Sequence, residues 1–513
     1  MAILVVITNT QTASENASMI YSTCAALQVA TPFPADLLLL AEKLCVHIQQ
    51  LQLAIASFRD LPVNPERSAA FEHQVVERIR LLGLDVLEQV YNHLEPQQPE
   101  QAPKRIVVDG VGYRRRDKHP NTLATLCGPV RLHRLLYEPL ESGQPCLHPL
   151  EGSLGVVAGC ASAALATRVG RLVAERPQRA VLHALEDDNG ISWTHKTLRQ
   201  VAAAWADHLN PHRHPTLVER ILEWLRQANK GRGSFQPVLA VGRDGVHVPM
   251  TAGGYHEASV ATLTVFDRHS RRLGTVYLGQ MPQYQQETLS EQLTKLIQGV
   301  LSQWRGQQPR LAYVTDGGWH PVDYYRRVLR PMEDPRRPGV RLSWERVIDF
   351  YHAAQYVSKL AAALFGTEAM AKGWARQMRG LLKQPGGATR VLQSASYYRA
   401  RVDMTRADHD AFDKAYRYLR RNRRYMQYER YRREGTPRGS GVTEAGCKTV
   451  FTQRLKQSGM RWGNAGGQVV VDLRVLVLSG VYEEVVARHL RQRSQQQEGT
   501  YLPYTTDCRR RAA

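Results

Sequence analysis

Cysteine is scarce in this chain: seven in 513 residues, at positions 24, 45, 127, 146, 160, 447 and 508. No two form a Cys-x-x-Cys pair and none has zinc-ligand spacing, which excludes a disulfide-stapled scaffold and a structural zinc module and fits a reducing cytoplasm. Long apolar runs are missing too. No stretch approaches the roughly 18–20 consecutive apolar residues of a membrane-spanning helix. The apolar run at residues 1–8 is short and lacks both a basic leader and a small-residue cleavage site. These absences predict an unsecreted cytoplasmic protein with no membrane partner. Acidic residues are the third shortage: 47 Asp+Glu face 68 Lys+Arg, a formal net charge of +21.

What is present is 43% apolar residues with Gly and Pro spread through the chain, enough to exclude wholesale disorder and to predict two to four folded domains. The charge is divided unevenly. Residues 1–100 hold 5 basic and 11 acidic side chains, net −6, so the remainder holds 63 and 36, net +27. That remainder is suited to a polyanion.

Apolar residues recur at three- and four-residue spacing through 37–58 and 69–91, which predicts an acidic helical region over 1–95. Residues 96–105, proline-rich and without hydrophobic content, read as a linker. Short alternating runs at 105–113, 122–126 and 130–137 predict a small β unit over 106–150. Residues 151–230 return to helix. Within them, 179–185, a turn at Asp187-Asp-Asn-Gly190, and a helix over 194–209 capped by Ser192 outline a helix-turn-helix whose Lys196 and Arg199 would face DNA.

The period then changes to two. Strands are predicted at 238–241, 259–266 and 273–278, then a helix at 288–304, a strand at 311–315, a helix at 322–329 and a strand at 341–348. Three strands, helix, strand, helix, strand is the element order of a ribonuclease H-like domain. Its first part would span 231–352, an all-helical stretch 353–435, and its second part 436–490, with a polar basic tail over 491–513. The fold class expected is multidomain α/β: a mixed five-stranded sheet with helices, interrupted by a helical insertion and preceded by helical regions for DNA binding or oligomerisation.

Asp244 and Asp316 each follow an apolar strand and precede a glycine. Strand ends carry functional groups in open α/β sheets, and a small neighbour leaves room for a cation or phosphate. Phosphodiester chemistry uses such pairs, with two Mg²⁺ or Mn²⁺ ions held by hard oxygen ligands. Glu444, in the first turn of a helix opened by Gly439-Ser-Gly441, is the candidate third carboxylate, with Lys448 one turn later on the same face. Asp349 and His352 read as a strand-end carboxylate and a helix-start imidazole lying just behind the ligands.

Asp-Gly at 244, Thr-Asp-Gly at 315–317, Asp-Phe-Tyr-His-Ala at 349–353, Gly-Ser-Gly-x-x-Glu-x-x-Cys-Lys at 439–448 and Arg-Leu-Lys-Gln-Ser-Gly-Met-Arg-Trp at 454–462 resemble bacterial insertion-sequence transposases of the ISKra family. The resemblance covers residues 120–485. It implies an Asp-Asp-Glu enzyme with a ribonuclease H-like catalytic domain, with Asp244, Asp316 and Glu444 as both catalytic and metal-binding triad. It also relates the 128-residue gap between Asp316 and Glu444 to the helical insertion of the Mutator-like and hAT groups. Asp349-Phe-Tyr-His352 matches a motif those groups carry near the active site. Residues 138–146 hold one cysteine where family members carry a pair, and the acidic N-terminal helices lie outside the family pattern.

Residues 414–433 combine nine basic side chains with five tyrosines. Lys414, Arg417, Arg420, Arg421, Arg423 and Arg424 would neutralise phosphates, while Tyr425 and Tyr428 would stack on unpaired bases. Arg454, Lys456 and Arg461 form a second basic group, with Trp462 beside them as a stacking or core residue. The function expected is a transposase that binds double-stranded DNA at element ends, cleaves it, and joins the 3′-hydroxyl to target DNA. It would act as a dimer or higher oligomer in the bacterial cytoplasm, associated with the nucleoid. The rivals are a nuclease or resolvase on the same fold without strand transfer, and a non-catalytic DNA-binding regulator derived from a transposase.

Overall fold

The computed structural model describes residues 35–96, 98–141, 143–497 and 502–503. The apolar run at 1–8 and most of the 491–513 tail lie outside them. Contacts divide the chain into two compact units, one comprising Met1–Val169, Gln178–Val201 and Leu490–Ala513, the other Gly170–Pro177 and Ala202–His489. Among the described residues no helix is long and apolar enough to cross a membrane.

The first unit begins with α1 (Ala35–Arg59) and α2 (Pro65–His93). Asn64 starts α2 by accepting the Arg67 amide at 2.8 Å, and Pro65 occupies the first helical position, where its missing N–H costs nothing. Strands β1 (Arg105–Val108), β2 (Val111–Thr125) and β3 (Gly128–Pro139) form an antiparallel meander. The turn between β1 and β2 is Asp109-Gly110, both at positive φ (49° and 82°), as a tight two-residue hairpin requires. β2 runs unbroken through Arg114-Arg115-Arg116, where the sequence shows no alternation. Its ladder to β3 carries it across, with a bulge between Arg115 and Lys118. The proline-rich 96–105 segment is no free linker: Ala102 joins the core around Ile106 and Tyr137, and the Tyr137 hydroxyl donates to the Pro103 carbonyl at 2.8 Å.

Helices α3 (Pro149–Ser153), α4 (Ala163–Glu175), α5 (Gln178–Asn189) and α6 (His195–Lys230) follow. The helix expected from 154 starts only at Ala163, because Gly155, Ala158 and Gly159 all take left-handed φ. Gly190, at φ +63°, makes the expected turn, but the cap is Thr194, which accepts the Thr197 amide at 3.2 Å. Ser192 donates instead to Glu186. α6 is 36 residues long, well past the expected stop at 209, and contains Pro211 and Pro215.

The second unit is built on a five-stranded mixed sheet of β4 (Val238–Pro249), β5 (Tyr255–Phe266), β6 (Arg272–Gln280), β7 (Arg310–Thr315) and β10 (Trp344–Ile348), in the order β10-β7-β4-β5-β6. β10, β7 and β4 are parallel, while β4, β5 and β6 are antiparallel. α7 (Glu287–Gln303) and α8 (Trp319–Tyr324) make the crossovers, and a hairpin of β8 (Glu333–Asp334) and β9 (Arg337–Arg341) precedes β10. Helices α9 (Phe350–Leu364), α10 (Glu368–Leu382), α11 (Gly387–Arg399), α12 (Arg406–Asn422) and α13 (Tyr428–Arg433) follow. They share one hydrophobic cluster with Val238, Ala312, Val314 and Val347 of the sheet. α14 (Gly441–Gly446) continues through a π-turn at Cys447–Thr452 into α15 (Gln453–Leu455). α16 (Asn464–Leu478) and α17 (Tyr482–Gln497) come last, and β11 (Leu502–Pro503) pairs with β1.

Candidate active site

β4 does not end at Val241. It continues to Pro249, so Asp244 lies within a strand and not after one. Its long antiparallel ladder to β5 sustains it, while its parallel pairing to β7 stops at Gly242 opposite Val314. Asp244 therefore stands two residues past the last β4–β7 pair, and Asp316 stands two past the same pair on β7. On the other side of β7, Thr315 pairs with Ile348, and the Asp349 amide donates to the Thr315 carbonyl at 2.9 Å. Asp244, Asp316 and Asp349 thus occupy one level on three adjacent parallel strands. This is the C-terminal edge where such sheets carry their sites.

Gly317, at φ +83°, turns the chain after Asp316, and the Gly318 amide donates to Asp316 Oδ1 at 2.8 Å. Tyr418 of α12 donates its hydroxyl to the Asp316 carbonyl at 2.5 Å. His352 lies beside the rings of Tyr356 and Tyr418, with centroids 5.4 and 5.7 Å away, so it buttresses this loop from behind.

Asp349 is fully buried, and both its oxygens are engaged. Oδ1 accepts the His352 amide at 2.7 Å, capping α9. Oδ2 accepts the Ser440 amide and, at 2.9 Å, the Ser440 hydroxyl. One carboxylate therefore ties the end of β10 to the start of α14, 91 residues on. Ser440 Oγ also lies 3.0 Å from Glu444 Oε1, within the first turn of α14.

α14 lies against the sheet because Gly242 has no side chain. A Cβ there would stand 1.8 Å from Thr443 Oγ1, which itself hydrogen-bonds Thr262 Oγ1 at 2.8 Å. This close approach brings Glu444 and Cys447 to Asp244. The Cys447 thiol donates to Asp244 Oδ2 at 3.6 Å, and the Gly245 amide donates to Oδ1 at 2.8 Å. Burial, then the charges of Asp316 and Glu444, push the Asp244 carboxyl up to about 6 against those two donors, and none of its main influences is a cation. Burial and the same three carboxylates also raise the Cys447 thiol. The charges of Asp316 and Glu444 thus both reach Asp244.

Carboxylate oxygens are hard donors and fit a divalent ion in kind. Among the described residues, however, no three His, Cys, Asp or Glu side chains are gathered closely enough to hold a metal as they stand. Cys447 was not singled out from the sequence, although its place three residues after Glu444 puts it on the same helical face. It also opens the π-turn, a distortion frequent at functional sites.

The basic segments divide by exposure. Lys414, Arg417, Arg420, Arg421, Arg423 and Arg424 are all exposed, because Phe412, Ala415, Leu419 and Asn422 turn the opposite face of α12 into the core. Lys448, Lys456, Arg461, Lys196 and Arg199 are exposed as well, the last donating to Gln178 at 3.2 Å. The tyrosines behave otherwise. Tyr428 is fully buried, with its hydroxyl donating to the Asp349 carbonyl at 3.4 Å, so it cannot stack on a base. Tyr425 is half-buried and already stacked on Arg346 and Arg424, 4.2 and 4.6 Å from its centroid.

Arg454 is also a core residue and not a phosphate contact. It is fully buried, donates from Nε to the Val173 carbonyl at 3.0 Å and lies 5.4 Å from the ring of Trp462, itself buried. Burial and the Arg474 charge pull its guanidinium down to about 10. Arg474 donates to the neighbouring Ala174 carbonyl, so the two arginines cap the last turn of α4.

Compared with protein-family models and with curated proteins, the sequence matches none.

Proposed function

We propose that this chain is a DNA transposase of the Asp-Asp-Glu kind, cutting at the ends of a mobile element and joining the freed 3′-hydroxyl to target DNA. The observation that carries the reading is the common level of Asp244 and Asp316 on adjacent parallel strands, with Glu444 of α14 near enough for its charge to act on Asp244. The strand order β10-β7-β4-β5-β6, with three antiparallel strands leading into two parallel crossovers, supports a ribonuclease H-like catalytic domain into which the helices after α9 are inserted.

Asp244, Asp316 and Glu444 would hold two Mg²⁺ or Mn²⁺ ions, which when bound activate an attacking oxygen and stabilise the leaving one. The protein's own residues do the positioning. The Cys447 thiol and the Gly245 amide fix the Asp244 carboxylate, Gly318 fixes Asp316, and Asp349 holds Ser440 so that α14 presents Glu444. The exposed Lys414–Arg424 face supplies phosphate contacts, and self-association brings two element ends together.

The test is the joining of a labelled 3′-end duplex to a plasmid in the presence of Mg²⁺ or Mn²⁺. Joined product that Asp316→Asn abolishes supports the reading. Cleavage without joining selects the nuclease, and end binding with neither reaction selects the regulator.

A further inference from the structure

Two opposite faces of α12 meet different surroundings. Lys414, Arg417, Arg420 and Arg421 are open to solvent, while Phe412, Ala415 and Leu419 are buried in the core. Tyr418 stands at the boundary, half-buried and next to Arg417. Its ring stacks on that of Tyr356 in α9, with centroids 3.7 Å and planes 10° apart, and His352 meets it at 65° with centroids 5.7 Å apart. At the tip of this packed ring the hydroxyl donates to the Asp316 carbonyl at 2.5 Å, across 102 residues of chain.

The turn that carries Asp316 is therefore held twice. From within, the Gly318 amide donates to Asp316 Oδ1 at 2.8 Å. From outside, α12 borders it closely: a Cβ on Gly317 would stand 3.5 Å from the Tyr418 hydroxyl and 3.4 Å from the Asn422 side-chain nitrogen, with Ile348 of β10 at 3.0 Å. Asn422 is buried and donates to the Tyr418 carbonyl at 3.1 Å, so the two α12 residues beside the turn are also bound to each other. Hydrogen bonds between successive turns hold the residues of a helix in a fixed relation. A duplex phosphate paired with Arg417, Arg420 or Arg421 and the carbonyl paired with Tyr418 thus act on one body.

Resting on the proposed DNA substrate, we infer that Tyr418 is a positioning residue, acting on the Asp316 carboxylate through the Asp316 carbonyl, and that duplex docked on the Lys414–Arg424 face steadies the turn through it. The carboxylate is thereby regulated by the substrate: bound duplex restrains Asp316, and the free chain carries a looser turn.

The experiment uses the full chain in chelator and reads amide hydrogen exchange by mass spectrometry in a peptide covering Thr315–Gly318. A duplex of arbitrary sequence is present or absent, since phosphate contacts do not depend on sequence. In the wild type the duplex should slow that exchange about tenfold. Tyr418→Phe keeps the ring and its stack but loses the hydroxyl. Without duplex it should exchange there about tenfold faster than wild type, with peptides away from α9 and α12 unchanged and duplex affinity by anisotropy within about twofold. The duplex should no longer slow it. Tyr416→Phe removes a hydroxyl of the same helix that accepts from Ser396 at 2.9 Å, and should behave as wild type. Wild-type exchange in Tyr418→Phe, faster exchange throughout the chain, or duplex protection that survives the loss of the hydroxyl overturns the inference. Because exchange is read without metal or cleavage, coupling in a protein that cuts no DNA would reject the catalytic reading alone. Joining by a protein whose turn ignores the duplex would reject the coupling alone.

Discussion

Replacing Asp349 separates its role from that of the carboxylates beside it. The side chain is buried and accepts from the His352 amide through Oδ1 and from Ser440 through Oδ2. Asparagine keeps one accepting oxygen, and its amide nitrogen must then face an N–H whichever way it is turned. That loses either a helix cap, worth ~0.5–2 kcal/mol, or the partner of a buried amide, worth ~1–3 kcal/mol. Asp349→Asn should therefore lower the unfolding free energy by ~1–3 kcal/mol, and Asp349→Ala, which loses both, by ~2–5 kcal/mol. Urea unfolding followed by circular dichroism reads this directly. Asp316→Ala is the control: among the described residues its carboxylate accepts the Gly318 amide alone, on a half-buried loop, and its loss should cost less than Asp349→Asn. Both Asp349 variants should also lose strand joining, because the segment carrying Glu444 and Cys447 is no longer tied to β10. Unfolding midpoints for Asp349→Ala equal to those of wild type would refute the clamp.

The opposite sign is expected at Asp244, whose folded carboxyl, near 6, lies above its ordinary value, so that at pH 7 the folded state bears the cost of the charge. In chelator Asp244→Asn should stabilise by ~2–3 kcal/mol at pH 7, and thermal melts should show that gain shrinking as the pH falls from 6 toward 4. Gly242→Ala should dislodge α14, costing ~1–3 kcal/mol and abolishing joining, since its Cβ would overlap Thr443; a variant with unchanged melting and activity would dismiss that close approach. Asp334 is buried, and hydrogen bonds from Arg336 and Arg337 hold its carboxyl well below the usual range. Its contribution should be complete above pH 4 and lost as the pH falls further, so Asp334→Asn should flatten the acid limb of the stability curve, and an unaltered limb would count against the ion pair.

Much of the sheet was legible because strand periodicity is local. Residues 259–266, 273–278 and 311–315 alternate or run apolar, and each lies within a strand. The amphipathic stripe of α12 is equally local, and it correctly sets Lys414 through Arg424 outward. The same residues misled where burial depends on partners elsewhere. The tyrosines between 416 and 431 looked like a base-stacking surface, yet Tyr428 and Tyr431 fill the cluster beneath the sheet. Arg454 looked like a phosphate contact, but the turn through Gln453–Leu455 directs it inward to the last carbonyls of α4.

By itself the sequence determined most of the run of strands and helices and marked Asp244, Asp316 and Glu444 as candidates, since side-chain period and an Asp-Gly step are properties of neighbours in the chain. Only the tertiary structure decided that β4 runs on through Asp244 to Pro249, that Gly242 admits α14 against the sheet, and that Asp349 anchors Ser440. Those outcomes depend on ladders and close contacts between segments tens of residues apart, whose geometry no local pattern encodes.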